Sequence, residues 1–108
     1  MEYLFSYGTL RNEEIQLAIF GRVVSTTLDA LPDYVLRTVS LTNWKAAGIS
    51  GGEMQKTVEP CPGGLIVGMV LEVSEEELRL CDDYEPVDYE RIKVPLRSGK
   101  NAWLYFRI

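Results

Sequence analysis

The chain contains no histidine. This absence excludes Ser-His and Cys-His catalytic arrangements, and it excludes every zinc site with a histidine ligand. The two cysteines, Cys61 and Cys81, form neither a CxxC pair nor a disulfide framework. Any chemistry in this protein is therefore left to carboxylates, tyrosines, lysines and backbone N–H groups.

Long apolar runs and clusters of basic charge are also missing. No apolar run approaches the roughly 20 residues that span a bilayer, so we expect no membrane partner. The segment Met1-Glu2-Tyr3 carries no basic region ahead of an apolar one, so we expect no secretory signal and a cytoplasmic setting. The net charge is −5 and the 11 Lys and Arg residues are scattered, so we expect no nucleic-acid partner.

What the chain does contain is typical of one compact soluble domain. Its 108 residues are 46% hydrophobic and 25% charged, which is ordinary for a globular protein. A chain of this length buries most of its apolar surface but is too short for two independent cores. We therefore predict a single domain over residues 1–108, present as a monomer or a weak homo-oligomer.

A strand-like run near the start of the chain leads through Gly8 into a helix-start signal. Residues 3–7 alternate with the period of a strand, and Asn12, Glu13 and Glu14 provide a cap and two acids. Glycine permits unusual dihedrals and close approach of a ligand, and a first helical turn leaves N–H donors unpaired. The loop therefore suits a carboxylate or an oxyanion; alternatively, Gly8 only turns the chain at a sheet edge.

Two short helices are predicted from local signals. The first covers residues 12–20, with Ile15, Ala18 and Ile19 on one buried face and Gly21 as its stop. The second begins with a capping box, Ser-Glu-Glu-Glu at positions 74–77, and runs to about residue 82 or 83. Its buried face should include Leu78 and Cys81.

The rest of the chain has strand and turn patterns. A predicted hairpin pairs residues 22–30 with 34–41 around turn chemistry at 31–33, and an irregular connection with Trp44 as a core residue follows at 43–52. Short strands are then predicted at residues 56–59, 65–73, 89–96 and 102–108, with a clear turn at 60–64. Gly68 lies where a bulge or a close backbone contact is expected.

These elements favour one fold class. Six or seven strands, mostly linked by hairpins, are combined with two short helices, which indicates an α+β domain with a curved, largely antiparallel sheet. Closure removes exposed strand edges, so a small chain with this many strands should form a partly closed β-barrel with the two helices on its flank.

The densest acidic region follows the second helix. Most acidic runs are solvated surfaces, but one acid, Glu85, lies between Tyr84 and Pro86 at the junction of helix and strand. If it turns inward to a pocket, burial and neighbouring carboxylates raise its pKa towards neutrality, as a general base requires; structural ion pairing is the alternative. The acids of this region are Asp82, Asp83, Glu85, Asp88 and Glu90.

Three blocks of the chain are informative when they are taken together. They are Tyr7-Gly8-Thr9-Leu10-Arg11, then Pro60-Cys61-Pro62-Gly63-Gly64 with Gly68, then Leu80 to Asp82, Tyr84-Glu85, Tyr89 and Arg91. In their order and spacing they resemble the γ-glutamylcyclotransferase-like superfamily, and most closely its γ-glutamylamine cyclotransferase branch. The resemblance covers nearly the whole chain. It implies a small barrel with flanking helices and a pocket between the first loop and Glu85.

The resemblance implies a reaction that fits the residues available. In a γ-glutamyl amine or amide, the substrate's α-amine attacks its own γ-carbonyl, giving 5-oxoproline and a free amine without a metal or a cofactor. We expect Glu85 to act as general acid and base, and the N–H groups of Gly8, Thr9 and Leu10 to hold a carboxylate or the oxyanion. Tyr7 would line the pocket. The alternative is a non-catalytic module that binds a small ligand in the same pocket.

Two positions qualify the resemblance. The family usually has glycine after the catalytic glutamate, whereas this chain has Pro86, which restrains the backbone and removes a donor. Pocket shape and substrate choice are expected to depend on this difference. Arg11 fits the family pattern, but we expect it to make a surface or strand-end ion pair rather than to contact a ligand.

Overall fold

The computed structural model describes residues 1–40, 54–85 and 88–107. In these ranges, strands and helices follow the order β1, α1, β2, β3, α2, β4, β5, and one short 3-10 helix precedes α1. The bounds are Glu2–Ser6 (β1), Thr9–Arg11 (3-10), Glu13–Phe20 (α1), Thr26–Ser40 (β2), Met54–Val73 (β3), Glu75–Tyr84 (α2), Tyr89–Pro95 (β4) and Asn101–Arg107 (β5).

The strands form one mixed sheet in the order β2-β3-β1-β5-β4. All neighbours are antiparallel except β1 and β5, which run parallel with Leu4 opposite Trp103. Contacts beyond the strand pairing draw the two ends of the sheet together, because the Arg97 N–H donates to the Ala30 carbonyl at 2.8 Å. The predicted α+β class, a mostly antiparallel and partly closed barrel with two short helices, is confirmed.

The predicted hairpin of residues 22–30 with 34–41 is wrong. Those residues belong largely to one strand, β2, whose pairing partner is β3. The register shifts between Pro32 and Tyr34, where Asp33 has a φ of 65°. The proline and aspartate that predicted a turn therefore form a bulge, which bends a strand without ending it.

The residues predicted as a turn, 60–64, lie within the partner strand β3, where residues 61–64 stand opposite Asp33 in an irregular part of the pairing. Residues predicted as two strands, 56–59 and 65–73, lie in the single strand β3. The Gly63 N–H donates to the Asp33 carboxylate at 3.1 Å, so the irregular parts of the two strands stabilise each other. This merging reduces the predicted six or seven strands to five in the described part of the chain.

The central strand β1 is covered on both faces. Leu4 belongs to the core cluster between the sheet and the helices, and its neighbour Phe5 belongs to the cluster inside the barrel. Both side chains are almost fully buried, as is expected for successive residues of a strand with two covered faces. The loop that leaves β1 therefore starts from a rigid base.

Helix α1 is capped as predicted but packs differently. The Asn12 side chain accepts hydrogen bonds from the first-turn N–H groups of Glu14 and Ile15, at 2.8 and 3.3 Å. Ala18, predicted on the buried face, is exposed, whereas Gln16 is fully buried. The Gln16 amide donates to the Leu10 carbonyl at 2.8 Å and accepts from the Val24 N–H at 3.0 Å. A polar side chain thus connects the helix to the loop before it.

Helix α2 follows the sequence prediction closely. Ser74 and Glu77 form the capping box, and Leu78 and Cys81 are buried. The helix extends to Tyr84, slightly beyond the predicted end. Glu77 also pairs with Arg22 through two hydrogen bonds of 2.9 and 2.8 Å, which fixes the N-terminal end of the helix.

Some sequence predictions concern residues outside the described ranges. The irregular connection at residues 43–52 with its core residue Trp44, and the effect of Pro86, belong to this group. Within the described ranges, none of the helices has the length and apolarity needed to cross a membrane.

Gly68 makes the close backbone contact expected of it. A Cβ atom at this position would lie 2.5 Å from the Ser6 carbonyl oxygen and 2.8 Å from the Phe5 ring. Both belong to β1, which has little freedom to move because it is buried on two faces. Only glycine lets β3 and β1 approach this closely.

We predict that Gly68→Ala destabilises the fold by about 1–3 kcal/mol, because the added methyl group overpacks the contact with β1. Urea unfolding monitored by tryptophan fluorescence measures the change. Gly8→Ala is the matched control, since the described residues leave open space around a Cβ at Gly8. Equal free energies of unfolding for the two variants would contradict the packing argument.

Candidate active site

The loop that follows β1 carries four of the predicted site residues. Tyr7 is buried, and its hydroxyl donates to the Tyr105 carbonyl at 2.6 Å, which anchors the loop to β5. Thr9 and Leu10 open the 3-10 helix, and the Leu10 side chain is buried in the core between sheet and helices. The side chains of Tyr7 and Leu10 thus attach the loop to β5 and to the core.

Gly8 supplies space at this loop. The sequence predicts unusual dihedrals at Gly8. Its φ is −134°, which other residues also adopt, so no left-handed conformation requires glycine here. A Cβ at Gly8 would have no atom of the described residues within 4 Å. The feature that glycine contributes is therefore open access to the main chain.

Backbone donors of the loop are available for a ligand. The Gly8 and Thr9 carbonyls accept from the N–H groups of Arg11 and Asn12, at 3.3 and 2.9 Å. Among the hydrogen bonds of the described residues, none uses the N–H of Thr9 or Leu10. The Gly8 N–H makes only a long contact of 3.4 Å with the Ser6 hydroxyl. These N–H groups can donate to an anion without losing a strong partner.

Arg11 is turned towards the loop itself. Its side-chain Nε donates to the Gly8 carbonyl at 3.2 Å, and the residue is exposed. This bond closes a small ring within the loop, together with the backbone bond from the Arg11 N–H to the same carbonyl. The contact stabilises the shape of the loop. It does not involve the N–H groups of Thr9 and Leu10.

A direct hydrogen bond joins the loop to the end of α2. The Thr9 hydroxyl and the Tyr84 hydroxyl are 2.7 Å apart, although the residues are 75 positions apart in the chain. Tyr84 is the last residue of α2, and Glu85 follows it immediately. The contact therefore brings the start of the loop and the predicted catalytic acid into one region of the molecule.

Glu85 is the C-cap residue that follows α2, and it is partly buried. Its N–H donates to the Cys81 carbonyl at 3.0 Å, which fixes the backbone at this position. Burial raises the pKa of the Glu85 carboxyl to about 7, and the negative charge of Asp82 adds to the rise. The carboxyl is therefore present in both protonation states near neutral pH, as an acid-base catalyst requires.

The charge of Glu85 acts on the tyrosines around it. The pKa of Tyr7 is raised, first by burial and then by Glu85, so the two side chains interact electrostatically. Burial and then Glu85 raise the pKa of Tyr89 to about 12. Both phenols stay protonated at neutral pH. Glu85 thus interacts electrostatically with Tyr7 of the loop, and its neighbour Tyr84 makes the hydrogen bond to Thr9.

Asp82 is held by residues that the sequence reasoning did not assign. Arg91 donates to its two carboxylate oxygens at 2.7 and 3.0 Å, and the Tyr105 hydroxyl donates to it at 2.6 Å. These donors lower the pKa of Asp82, with Arg91 as the largest cause, so the carboxylate stays ionised beside Glu85. No local signal could have found this cluster, because it joins α2, β4 and β5.

A shallow cleft of about 380 Å³ lies beside this cluster. It is distinct from the loop, because neither Glu85 nor any residue of positions 7–10 lines it. Arg91 lies over the Trp103 ring at 4.5 Å from its centroid, and the Trp103 indole N–H donates to Glu2 at 2.9 Å. The lining residues are Asp82, Tyr89, Glu90, Arg91, Trp103 and Tyr105.

Comparison with known proteins gives one family. Residues 4–107 match the family model described as gamma-glutamyl cyclotransferase, AIG2-like. AIG2-like protein D from Arabidopsis thaliana is 25% identical over 95 residues, covering 87% of this chain and 55% of that protein. AIG2-like protein C from the same organism is 29% identical over 92 residues, covering 84% and 47%. The chain spans about half the length of the curated relatives it matches.

Solved structures support the same fold. A solution structure of an Arabidopsis thaliana protein has a TM-score of 0.75 at 20% identity, covering 98% of this chain and 61% of the other. A crystal structure of an uncharacterized protein from Homo sapiens has a TM-score of 0.72 at 22% identity, covering 99% and 66%. A structure named gamma-glutamyl cyclotransferase has a TM-score of 0.71 at 20% identity, covering 99% and 66%.

We predict that the hydrogen bond between Thr9 and Tyr84 contributes about 0.5–1.5 kcal/mol of coupling energy. A double-mutant cycle with Thr9→Val and Tyr84→Phe, measured by urea unfolding, tests this prediction. The control is the cycle of Thr9→Val with Tyr3→Phe, which changes a phenol outside the contact. This cycle should give no coupling energy. Additivity of Thr9→Val and Tyr84→Phe within about 0.3 kcal/mol would show that the two hydroxyls do not interact in solution.

Proposed function

Because the chain belongs to the AIG2-like gamma-glutamyl cyclotransferase family, we propose that it cyclises a γ-glutamyl amine or amide to 5-oxoproline and free amine. The observation that carries this proposal is the partly buried Glu85, with a pKa raised to about 7, beside a loop whose Thr9 and Leu10 N–H groups have no hydrogen-bond partner among the described residues. The hydrogen bond between Thr9 and Tyr84 supports the proximity of the loop to Glu85, the residue after Tyr84.

The proposed reaction balances without a co-reactant. The α-amine nitrogen of the substrate forms a bond with the γ-carbonyl carbon and closes a five-membered lactam. The bond between that carbon and the departing nitrogen breaks. Starting from the α-ammonium, the α-nitrogen loses two protons on the way to the lactam N–H, and the departing nitrogen gains two and leaves as an ammonium. Glu85 is proposed to carry one of these protons, and the other exchanges with solvent. The attack is intramolecular, so a pocket that binds the folded substrate supplies much of the acceleration by orientation alone.

Glu85 is proposed to carry the proton. The α-ammonium of the substrate has a pKa of about 8 in solution, close to the raised pKa of this carboxyl, so transfer between them is nearly balanced. Deprotonated Glu85 accepts a proton from the α-nitrogen, and protonated Glu85 then donates to the departing nitrogen. A single carboxyl therefore serves both steps in a chain that has no histidine.

The loop is proposed to bind the substrate's negative charges. The N–H groups of Thr9 and Leu10, with that of Gly8, suit either the α-carboxylate or the developing oxyanion, and both assignments remain in the proposal. Open space at Gly8 allows a ligand to reach the main chain. Tyr7, protonated and anchored to β5, is proposed to line the same pocket.

We predict that Glu85→Gln reduces 5-oxoproline formation by about 10²- to 10⁴-fold while the fold is retained, because an amide cannot exchange the proton. Mass spectrometry of reactions with a panel of γ-glutamyl amines and γ-glutamyl amino acids measures the product. Glu76→Gln, an exposed change in the first turn of α2, is the matched control and should keep wild-type turnover.

Other outcomes of that experiment have definite meanings. Full turnover by Glu85→Gln would remove this residue from the mechanism. Binding of the panel by the wild-type chain without product would instead favour the non-catalytic ligand-binding module. Circular dichroism of each variant separates loss of chemistry from loss of structure.

We predict that kcat/KM rises with pH up to about 7, because Glu85 is an effective base only when it is deprotonated.

The folded pKa of Glu85 lies above the ordinary 4.5, so the free energy of unfolding should fall as pH rises from about 4.5 to 7. Glu85→Gln should remove that fall. Stability of both proteins measured across this window tests the titration without any substrate, and parallel curves would contradict it.

A further inference from the structure

Three elements of the fold converge on one carboxylate near the proposed catalytic acid. Asp82 lies one helical turn before Glu85 on α2, and it accepts hydrogen bonds from Arg91 on β4 and Tyr105 on β5. The family resemblance and the proposed mechanism assign no role to this cluster. Its members are the only described side chains that tie the C-terminal turn of α2 to these two strands by hydrogen bonds to a carboxylate.

We propose that Arg91 and Tyr105 are positioning residues that act through Asp82 to hold the Glu85 carboxyl in place, and that the Arg91 charge offsets the field of Asp82 at that carboxyl. This inference rests on the proposed function, because it concerns the residue that carries the proton. It adds contacts from β4 and β5 to the end of α2, whose last residue Tyr84 is hydrogen-bonded to the loop through Thr9.

The geometry supports positioning because the contact is rigid. Arg91 uses Nε and one terminal nitrogen on two different oxygens of Asp82, a forked arrangement that fixes orientation as well as distance. The guanidinium also stacks at 4.5 Å from the Trp103 ring centroid. Trp103 in turn donates to Glu2 at 2.9 Å, at the start of the central strand. The end of α2 is thereby connected to the core of the sheet.

Asp82 acts on Glu85 directly, and Arg91 is proposed to act through Asp82. The negative charge of Asp82 raises the pKa of Glu85, after the larger effect of burial. Arg91 forms an ion pair with Asp82 at 2.7 Å, so we expect loss of Arg91 to leave the Asp82 charge unneutralised beside Glu85. Among the described residues, the other titratable groups that interact with Glu85 are Tyr7 just after β1, Cys81 and Tyr84 on α2, and Tyr89 on β4.

The chain provides its own matched control. Arg22 and Glu77 form an equivalent forked ion pair at the other end of α2, with hydrogen bonds of 2.9 and 2.8 Å. Loss of this pair should loosen the helix as much as loss of the Arg91 pair. Glu77 is not a cause of the Glu85 shift, so Arg22→Gln should not change how Glu85 titrates.

The first arm of the test is the pH dependence of kcat/KM. The acidic limb is the rise of kcat/KM with pH that follows deprotonation of Glu85. Asp82→Asn should move this limb to lower pH and Arg91→Gln should move it to higher pH, each by about one pH unit. Arg22→Gln should leave the limb where the wild-type protein has it. A general loss of structure does not move two variants of one ion pair in opposite directions, so opposite shifts support the inference.

The second arm separates charge from geometry. Arg91→Lys keeps the positive charge but lacks the fork, and Tyr105→Phe keeps every charge but removes one donor to Asp82. Both should lower kcat several-fold while the pH dependence of kcat/KM stays close to that of the wild-type protein, because every charge of the cluster is kept. Unchanged kcat in both variants would overturn the positioning role.

The third arm does not require turnover. Titration of the Glu85 carboxyl by ¹³C NMR, with the signal assigned by its loss in Glu85→Gln, should give the same opposite shifts for Asp82→Asn and Arg91→Gln. Shifts of equal sign, or none, would overturn the inference even in an active enzyme. Opposite shifts in a chain that makes no 5-oxoproline would contradict the proposed function and leave the electrostatic relation intact.

Discussion

The architecture of the site depends on one hydrogen bond between two hydroxyls, Thr9 and Tyr84, that are 75 positions apart in the chain. It joins the loop above β1 to the last residue of α2. Both sides are rigid, because β1 is covered on two faces and α2 is capped at its start and packed through Leu78 and Cys81. The contact therefore sets where Glu85 lies relative to the backbone donors of the loop.

Burial of an acid at this point has a cost that the proposed function uses. Taking the Glu85 carboxyl out of water disfavours its charged form, and the nearby Asp82 charge disfavours it further. Arg91 and Tyr105 keep Asp82 ionised, whereas the Glu85 carboxyl has a pKa of about 7. The protein therefore places an ionised carboxylate beside a carboxyl that titrates near neutral pH. Environments that separate the titration of two neighbouring acids are typical of acid-base sites.

Much of the fold could be predicted because its signals are local. The caps at Asn12 and Ser74 depend on a few adjacent residues, and both helices begin where expected. Proline, aspartate and glycine mark a bend without saying whether the strand ends there, so the bulge at Pro32 was predicted as a turn. Glu85 could be singled out because it lies between an aromatic residue and proline at a junction, and its catalytic role stays a prediction. The cluster around Asp82 was missed, because contacts between α2, β4 and β5 leave no pattern in sequence.

A crystal structure with bound 5-oxoproline would show whether the loop and Glu85 form one catalytic site. We predict that the product lies between the loop and α2, with an oxygen within hydrogen-bond distance of the Thr9 or Leu10 N–H and the lactam nitrogen facing the Glu85 carboxyl. Product bound instead in the cleft beside Trp103, or a Glu85 carboxyl directed into solvent with product present, would contradict it.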